Sequence, residues 1–180
     1  DREKIKSLLM ELQEYVVEID KFNLNMIADS YKVDYFKFMM RDCAANQGKV
    51  FVAEENQKVV GFIAGFVQTY DERDKLDYTC PKKGIIAELV VSKDSRSKGA
   101  GKLLLDKMEN HFNSIGCEFV QLEVFSYNDG AKKFYAKNNY ILLLILNFNK
   151  FILVFFVNFE KTFCKIFVIF CFSGCITFPI

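Results

Sequence analysis

Residues 84–105 run from an apolar, strand-like segment through a short polar turn with two glycines into a segment with helical spacing. Gly99 and Gly101 lack a Cβ, so the backbone of the turn can approach a ligand closely. The first amides of the following helix have no partners inside the helix and lie at the positive end of its dipole. This order of strand, turn and helix therefore predicts an anion site, with phosphate as the preferred ligand.

Spacing separates the phosphate-binding motifs that could occupy this turn. A Walker A loop needs a glycine at position 96 and Ser or Thr at position 103, but the chain has Arg96 and Leu103 there. The dinucleotide fingerprint needs a third glycine at position 104, where Leu104 stands instead. What remains is an Arg96-x-x-Gly99-x-Gly101 pattern that follows a strand. The alternative is that the glycines only form a tight connection between strand and helix.

The composition is that of one globular domain without a nucleic-acid partner. A chain of 180 residues can bury a single core. Its 24 basic and 23 acidic residues give a net charge of +1, which is not the electrostatic footprint of a nucleic-acid binder. The six cysteines form no Cys-x-x-Cys pair and there is one histidine, so we expect no metal site and a reducing, cytoplasmic location.

Apolar periodicity predicts an alternating series of helices and strands. The predicted helices are residues 2–21, 30–46, 98–115 and 132–140, and the predicted strands are residues 49–55, 58–70, 85–91 and 117–125. Asn56-Gln57 is expected to turn the first hairpin, and Gly48 and Gly116 are expected to end the second and third helices. Simple alternation places Ile86, Glu88 and Val90 on one face of their strand.

Two groups of residues have alternative interpretations. The second helix carries a stripe of Tyr31, Tyr35, Phe38, Met39 and Cys43, which is more typical of a core than of a substrate pocket. The loop before residue 84 carries Asp71, Glu72, Asp74 and Asp77, which form either a solvated face or an attractive surface for a cationic amine. His111 is expected to be a surface or boundary residue rather than a catalytic base.

A second motif follows the strand at residues 117–125. Asn128 opens a short helix that contains Phe134 and Tyr135, and Asn139 stands at the end of that helix. Together with the glycine turn, this motif resembles the GNAT superfamily of N-acetyltransferases over residues 49–140. Many members have Gly at the position of Asn139, and Asn is the next best residue for a left-handed helix terminus.

The resemblance implies an α/β fold, with helices on both faces of a mixed, mostly antiparallel sheet that splays at its centre. It also implies acetyl transfer from acetyl-CoA to a primary amine by direct attack in a ternary complex. The family's first strand would then lie before Asp1, and a homodimer stays an open alternative. Members use many acceptors, and no pattern here chooses among them. The rival interpretations are an inactive CoA-binding regulatory domain and a membrane-associated interaction protein.

The resemblance further implies roles for individual residues. Tyr135 matches a tyrosine that reaches the cofactor sulfur and is the candidate general acid, while Asn128 matches an asparagine that positions the cofactor arm. Glu88 or Glu123 is the candidate general base, unless ordered waters carry the proton. The residues implied in CoA binding are Leu89, Val90 and Val91 for the pantetheine arm, and Arg96, Ser97, Lys98, Gly99, Ala100, Gly101 and Lys102 for the pyrophosphate.

The chain after Tyr140 is unusually apolar, and half of its 20 phenylalanines lie there. Residues 141–146 and 151–159 would supply two more strands, so we expect one domain over residues 1–158 and an anomalous tail over residues 159–180. Membrane segments are a second interpretation, but a span needs roughly 20 apolar residues and these runs are shorter. A change of reading frame after about Tyr140 is the third.

Overall fold

The computed structural model describes residues 1–77, 79–147 and 150–156. The helices are α1 (Arg2–Ile19), α2 (Tyr31–Ala45), α3 (Asp74–Asp77), α4 (Ala100–Ser114) and α5 (Asp129–Lys137). The strands are β1 (Lys49–Glu55), β2 (Lys58–Val67), β3 (Lys83–Val91), β4 (Phe119–Phe125), β5 (Ile141–Asn147) and β6 (Lys150–Phe156). The predicted elements are all present, with ends that differ by a few residues.

The strands form one sheet in the order β1-β2-β3-β4-β6-β5. Among the strands described, β3 and β4 run parallel and the other neighbouring pairs run antiparallel. The parallel pair follows from the connection, because α4 carries the chain from the end of β3 back to the start of β4. The predicted α/β fold with a mixed, mostly antiparallel sheet is confirmed.

Two apolar clusters hold helices on opposite faces of the sheet. On one face α1 and α2 pack against β2 and β3, and on the other face α4 and α5 pack against β2, β3 and β4. Phe112 of α4 is fully buried and lies directly over Gly84, where an added Cβ would come within 2.6 Å of its ring. The absence of a side chain at Gly84 therefore sets how closely α4 approaches the sheet.

The glycine predicted to end α2 does not take the left-handed conformation, whereas the glycine predicted to end α4 does. Beyond α2, the left-handed position is Gln47, with φ of 52°, and not Gly48. Gly48 is needed for space instead, because a Cβ there would lie 2.5 Å from the carbonyl oxygen of Gly65. Gly116 does end α4 in the left-handed region, and Asn139 takes the same conformation after α5, with φ of 65°. Both of these predictions are confirmed.

A β-bulge in β3 overturns the predicted alternation of its side chains. Ala64 of β2 pairs with Glu88, but the next residue, Gly65, pairs with Ile86, so Ala87 is the extra residue. Ile86 therefore packs in the α4 cluster, whereas Val90 packs in the α1–α2 cluster. The prediction that Ile86 shares a face with Glu88 and Val90 is wrong, because a bulge reverses the alternation.

The apolar stretch after Tyr140 begins with a hairpin, in which β5 pairs with β6 and β6 pairs with β4. For the described residues of this stretch, the interpretation as two further strands is the one that the structure supports. The predicted boundary at residue 158 and the tail beyond it lie outside the described residues. In the part of the chain that the structure covers, no helix is long and apolar enough to cross a membrane.

Candidate functional site

The two parallel strands separate at the centre of the sheet. Pairing between β3 and β4 covers residues 83–86 and 119–122. Beyond that point the strands separate and border a cleft of about 620 Å³. Its described walls include Ala87 to Leu89 of β3, Glu123 to Phe125 of β4, and residues of α1, α2 and α5. The predicted splay of the sheet is therefore present, and it opens beside both candidate bases.

Glu88 lies on the wall formed by β3 and is half-buried. The bulge at Ala87 turns it toward α2, where the Tyr35 hydroxyl donates a hydrogen bond to its carboxylate. The Tyr35 ring stacks on the Tyr31 ring, with centroids 4.9 Å apart and planes 16° from parallel. A carboxylate is thus held at the cleft by a side chain of another element.

Tyr135 of α5 lies on the same cleft and is only 7% exposed. Burial raises the pKa of its hydroxyl well above the ordinary value of tyrosine, and the nearby charge of Glu88 raises it further. The pKa values of Tyr31 and Tyr35 are raised by the same two causes, burial first and the charge of Glu88 second. All three hydroxyls therefore stay protonated at neutral pH and can serve as hydrogen-bond donors.

Asn128 and Glu123 also line the cleft. The side-chain oxygen of Asn128 accepts a hydrogen bond of 3.0 Å from the Ala131 amide and so caps the start of α5. Glu123 is exposed, whereas Glu88 is half-buried and its charge acts on Tyr135. Of the two candidate bases, Glu88 has the closer electrostatic link to the candidate acid.

The glycine turn joins the end of β3 to the start of α4. Gly99 has φ of 93°, a left-handed conformation that favours glycine. Gly101 is required neither by its φ nor by crowding, since an added Cβ would make ordinary contacts of 3.5 Å with Phe134. The turn therefore leaves open space at the first amides of α4, which is what a closely bound anion would need.

Carboxylates tether both sides of this turn. Glu11 of α1 accepts hydrogen bonds from the Lys93 amide at 2.9 Å and from the Arg96 guanidinium at 3.2 Å. Glu55 of β1 accepts a hydrogen bond from the Ser95 hydroxyl at 3.2 Å and forms an ion pair with Lys98 at 3.4 Å. The side chains of Arg96 and Lys98 are therefore already paired with acidic groups of the protein.

The predicted cofactor residues fall into three places. Leu89 lines the cleft, Val90 is buried in the α1–α2 cluster, and Val91 packs partly against the α4 cluster. The residues of the turn and the start of α4 are Arg96, Ser97, Lys98, Gly99, Ala100, Gly101 and Lys102. Lys98 and Ala100 border a separate groove of about 560 Å³ beside β1. The side chain of Val90 is thus not available to a ligand in the cleft.

Sequence reasoning misassigned the aromatic stripe of α2. Tyr31, Tyr35 and Phe38 line the cleft, while Phe36, which lies outside the stripe, is in the core. The core prediction is therefore correct for Met39 and Cys43 and wrong for Tyr31 and the exposed Phe38. Tyr35 lines the cleft and also packs against the core cluster. The two hydroxyls were the available signal, because a buried tyrosine usually needs a polar partner and phenylalanine does not.

The acidic residues of the loop before β3 bond mainly within the loop. The Asp71 and Asp74 side chains each accept a hydrogen bond from the other residue's amide, at 2.8 and 2.9 Å. Glu72 pairs with Lys75. This arrangement favours the solvated-face interpretation for these three residues.

Comparison with known proteins gives a family match over most of the chain. Residues 13–140 match the model of the acetyltransferase (GNAT) family. An uncharacterized N-acetyltransferase of Methanocaldococcus jannaschii is 35% identical over 91 residues, which cover 50% of this chain and 51% of that protein. N-alpha-acetyltransferase 60 of Xenopus tropicalis is 27% identical over 128 residues, 64% of this chain and 52% of that protein. The chain thus spans about half the length of these curated relatives.

Solved structures share the fold at low sequence identity. The PaiA N-acetyltransferase of Thermoplasma acidophilum, crystallised with coenzyme A, has a TM-score of 0.61 at 16% identity, covering 86% of this chain and 91% of that one. An aminoglycoside 6'-acetyltransferase of type Ii has a TM-score of 0.63 at 16% identity, covering 87% and 90%. These similarities concern the fold.

Proposed function

The chain belongs to the acetyltransferase (GNAT) family, and we propose that it transfers an acetyl group from acetyl-CoA to a primary amine by direct attack in a ternary complex. The observation that carries this proposal is the cleft at the splay, where Glu88 and Tyr135 share one cavity. A base and a hydrogen-bond donor on one cavity are what the reaction needs, because the amine must lose a proton and the thiolate must be stabilised.

The residues present suit acetyl-CoA as cosubstrate. The ladder between β3 and β4 ends at Ile86, and the next residues of β3 border the cleft, where their backbone would hold an extended arm as an added strand does. The open turn at Gly99 and Gly101 would receive the pyrophosphate at the start of α4. When bound, the cosubstrate supplies the acetyl thioester that the amine attacks.

Glu88 and Tyr135 have separate tasks in this proposal. The carboxylate of Glu88 takes the proton of the incoming ammonium, so the base must be ionised before the amine can react. Tyr135 stabilises the departing sulfur mainly by donating a hydrogen bond. Its pKa is raised by burial, so complete proton transfer to a thiolate, with a pKa of roughly 8.5, would be unfavourable.

The acceptor, the domain bounds and the cellular location are also proposals. The acceptor is a primary amine, carried by a small molecule or by a protein. The single domain extends over residues 1–158, with residues 159–180 as a tail. A cytoplasmic location is suggested by the scattered cysteines, of which Cys43 and Cys117 are free thiols.

The experiment that tests this function joins binding to turnover. Isothermal titration measures the affinity for acetyl-CoA, and release of free thiol is then followed with a panel of amines. The panel contains a peptide with a free N-terminus, an aminoglycoside and simple alkyl amines, because two similar proteins are named for the first two classes. Absence of binding rejects the proposal, and binding without turnover of any amine favours the regulatory-domain alternative.

A further inference from the structure

The contact between Tyr35 and Glu88 joins two elements that are far apart in the chain. Tyr35 lies in α2 and Glu88 in β3, 53 residues later, yet the hydroxyl donates directly to the carboxylate. The packing beneath this contact is firm, since Phe36 and Met39 of α2 are buried in one cluster with Val90 of β3. The bond therefore depends on the seating of α2 against the sheet.

The ring of Tyr35 is fixed from a second side. Tyr31, one helical turn earlier, stacks on it with centroids 4.9 Å apart. No hydrogen bond from the Tyr31 hydroxyl to Glu88 is found among the residues that the structure describes, although both rings line the cleft. The two tyrosines lie on the same helix and the same wall of the cleft and stack on each other. They differ in that Tyr35 donates a hydrogen bond to Glu88.

Other titratable groups face Glu88 from α5, β4 and α2. Tyr135 approaches from α5, and Glu123 lies on β4 across the cleft. Asp42 of α2 is close enough to act on Tyr35, and the residue of β2 that pairs with Glu88 is the uncharged Ala64. Glu123 carries a charge of the same sign as Glu88, and like charges disfavour each other's ionised forms.

We propose that Tyr35 is a positioning residue that keeps Glu88 ionised and aimed into the cleft. The proposal rests on the function proposed above, in which Glu88 is the base. A hydrogen bond donated to a carboxylate favours its charged form, so Tyr35 offsets the unfavourable effect of burial and of the neighbouring acids. Without that bond, Glu88 would hold its proton to higher pH and its carboxylate could turn within the cleft.

A matched pair of variants tests this role directly. Tyr35→Phe removes the hydroxyl and keeps the stacked ring, and Tyr31→Phe does the same on the neighbouring ring. The chain is labelled with ¹³C at the glutamate carboxyls, and the Glu88 resonance is assigned by its loss in Glu88→Gln. We expect the Glu88 midpoint to rise by about one pH unit in Tyr35→Phe and to stay in place in Tyr31→Phe.

A measurement on the unmutated chain keeps the test valid if Tyr35→Phe fails to fold. The Cζ resonance of Tyr35 should follow the titration of Glu88 and should lose that response in Glu88→Gln. An unmoved Glu88 midpoint in Tyr35→Phe, or a Tyr35 resonance that ignores Glu88, overturns the proposal.

Kinetics then separates the role of Tyr35 from the function itself. In Tyr35→Phe, the acidic limb of the pH profile of kcat/KM should shift to higher pH by the same amount as the titration midpoint of Glu88. In the Glu88→Gln background, Tyr35→Phe should have little further effect on turnover. A limb that does not move, or fully additive losses, overturns the positioning role. Absence of turnover in the parent chain rejects the proposed function instead, and the resonance measurements still decide whether Tyr35 controls Glu88.

Discussion

Tyr135 is placed in the cleft as a neutral hydroxyl, and its ring packs against Phe134 and Tyr140 with centroids 5.1 and 5.4 Å away. This packing fixes the direction of the hydroxyl, so a phenylalanine at the same position would keep the ring and lose only the donor. A single atom can therefore be tested without disturbing the walls of the cleft. The same reasoning applies to Glu88 and Glu123, whose amide variants keep their shape and lose their charge.

We expect Tyr135→Phe to lower kcat by roughly tenfold or more and to leave the affinity for acetyl-CoA nearly unchanged. The reason is that, in the proposed reaction, the hydroxyl acts on the departing sulfur and contributes little to ground-state binding. Steady-state kinetics and isothermal titration measure the two quantities. Tyr70→Phe is the control, since its hydroxyl bonds to the Pro81 carbonyl away from the cleft. Unchanged turnover in Tyr135→Phe would remove Tyr135 as the donor.

The two candidate bases make opposite predictions. If Glu88 is the base, Glu88→Gln should lower kcat/KM by about 100-fold and flatten the acidic limb of the pH profile. The sign follows from the mechanism, because the base must be ionised and activity therefore rises as pH passes upward through its pKa. Glu123→Gln should retain that limb. A pH profile that loses its limb in Glu123→Gln alone would assign the base to Glu123.

At the scale of elements, the glycine turn is tied to α1 by Glu11 and to β1 by Glu55. Each carboxylate bonds groups that a bound pyrophosphate would also attract. An exposed ion pair of this kind contributes about 0.2–1 kcal/mol, so it can hold the turn in shape and still yield to a more highly charged ligand. The protein's own acids would thus compete with the pyrophosphate of the proposed cosubstrate for Arg96 and Lys98.

Glu11→Gln should therefore tighten acetyl-CoA binding by up to about fivefold at low salt. The change removes a negative charge that occupies Arg96, and the gain should shrink as salt screens the site. Isothermal titration at two ionic strengths measures it. Glu3→Gln, which breaks an exposed pair with Lys6 elsewhere on α1, is the control. Weaker binding in Glu11→Gln would mean that Glu11 orients Arg96 for the ligand.

For the whole molecule, the position of α4 links stability to the site. This helix begins at the glycine turn, spans the sheet over Gly84 and Gly65, and returns the chain to β4. Phe112 fills the space above both glycines and is fully buried. A loss of packing here would loosen the helix whose first turn is the proposed pyrophosphate site.

Phe112→Ala should lower the free energy of unfolding by about 3–5 kcal/mol, because it removes a large ring and leaves a cavity over the glycines. Leu103→Ala, on the exposed side of the same helix at 70% exposure, should change it by less than about 0.5 kcal/mol. Urea unfolding followed by circular dichroism compares the two. Equal effects would contradict the assignment of Phe112 to the main core.

Local sequence patterns predicted the order of helices and strands, the hairpin turn at Asn56-Gln57 and the end of α4 at Gly116. Each of these depends on residues close together in the chain, so propensity and spacing were sufficient. The predictions for Ile86 and for Tyr31 were wrong for a common reason. Which way their side chains point depends on a bulge or a neighbouring element, and periodicity within one segment carries no information about either.

The amino-acid sequence alone determined the strand, turn and helix around Gly99, the capping of α5 by Asn128 and the family to be expected, because these are local features. The tertiary structure decided which groups meet. The bulge at Ala87 turned Glu88 toward α2, and contacts over 53 and 85 residues joined Tyr35 to Glu88 and Arg96 to Glu11. Such contacts form only when the packed core sets the distances between elements. The tertiary structure therefore decides which charged groups and hydrogen-bond donors meet in the cleft.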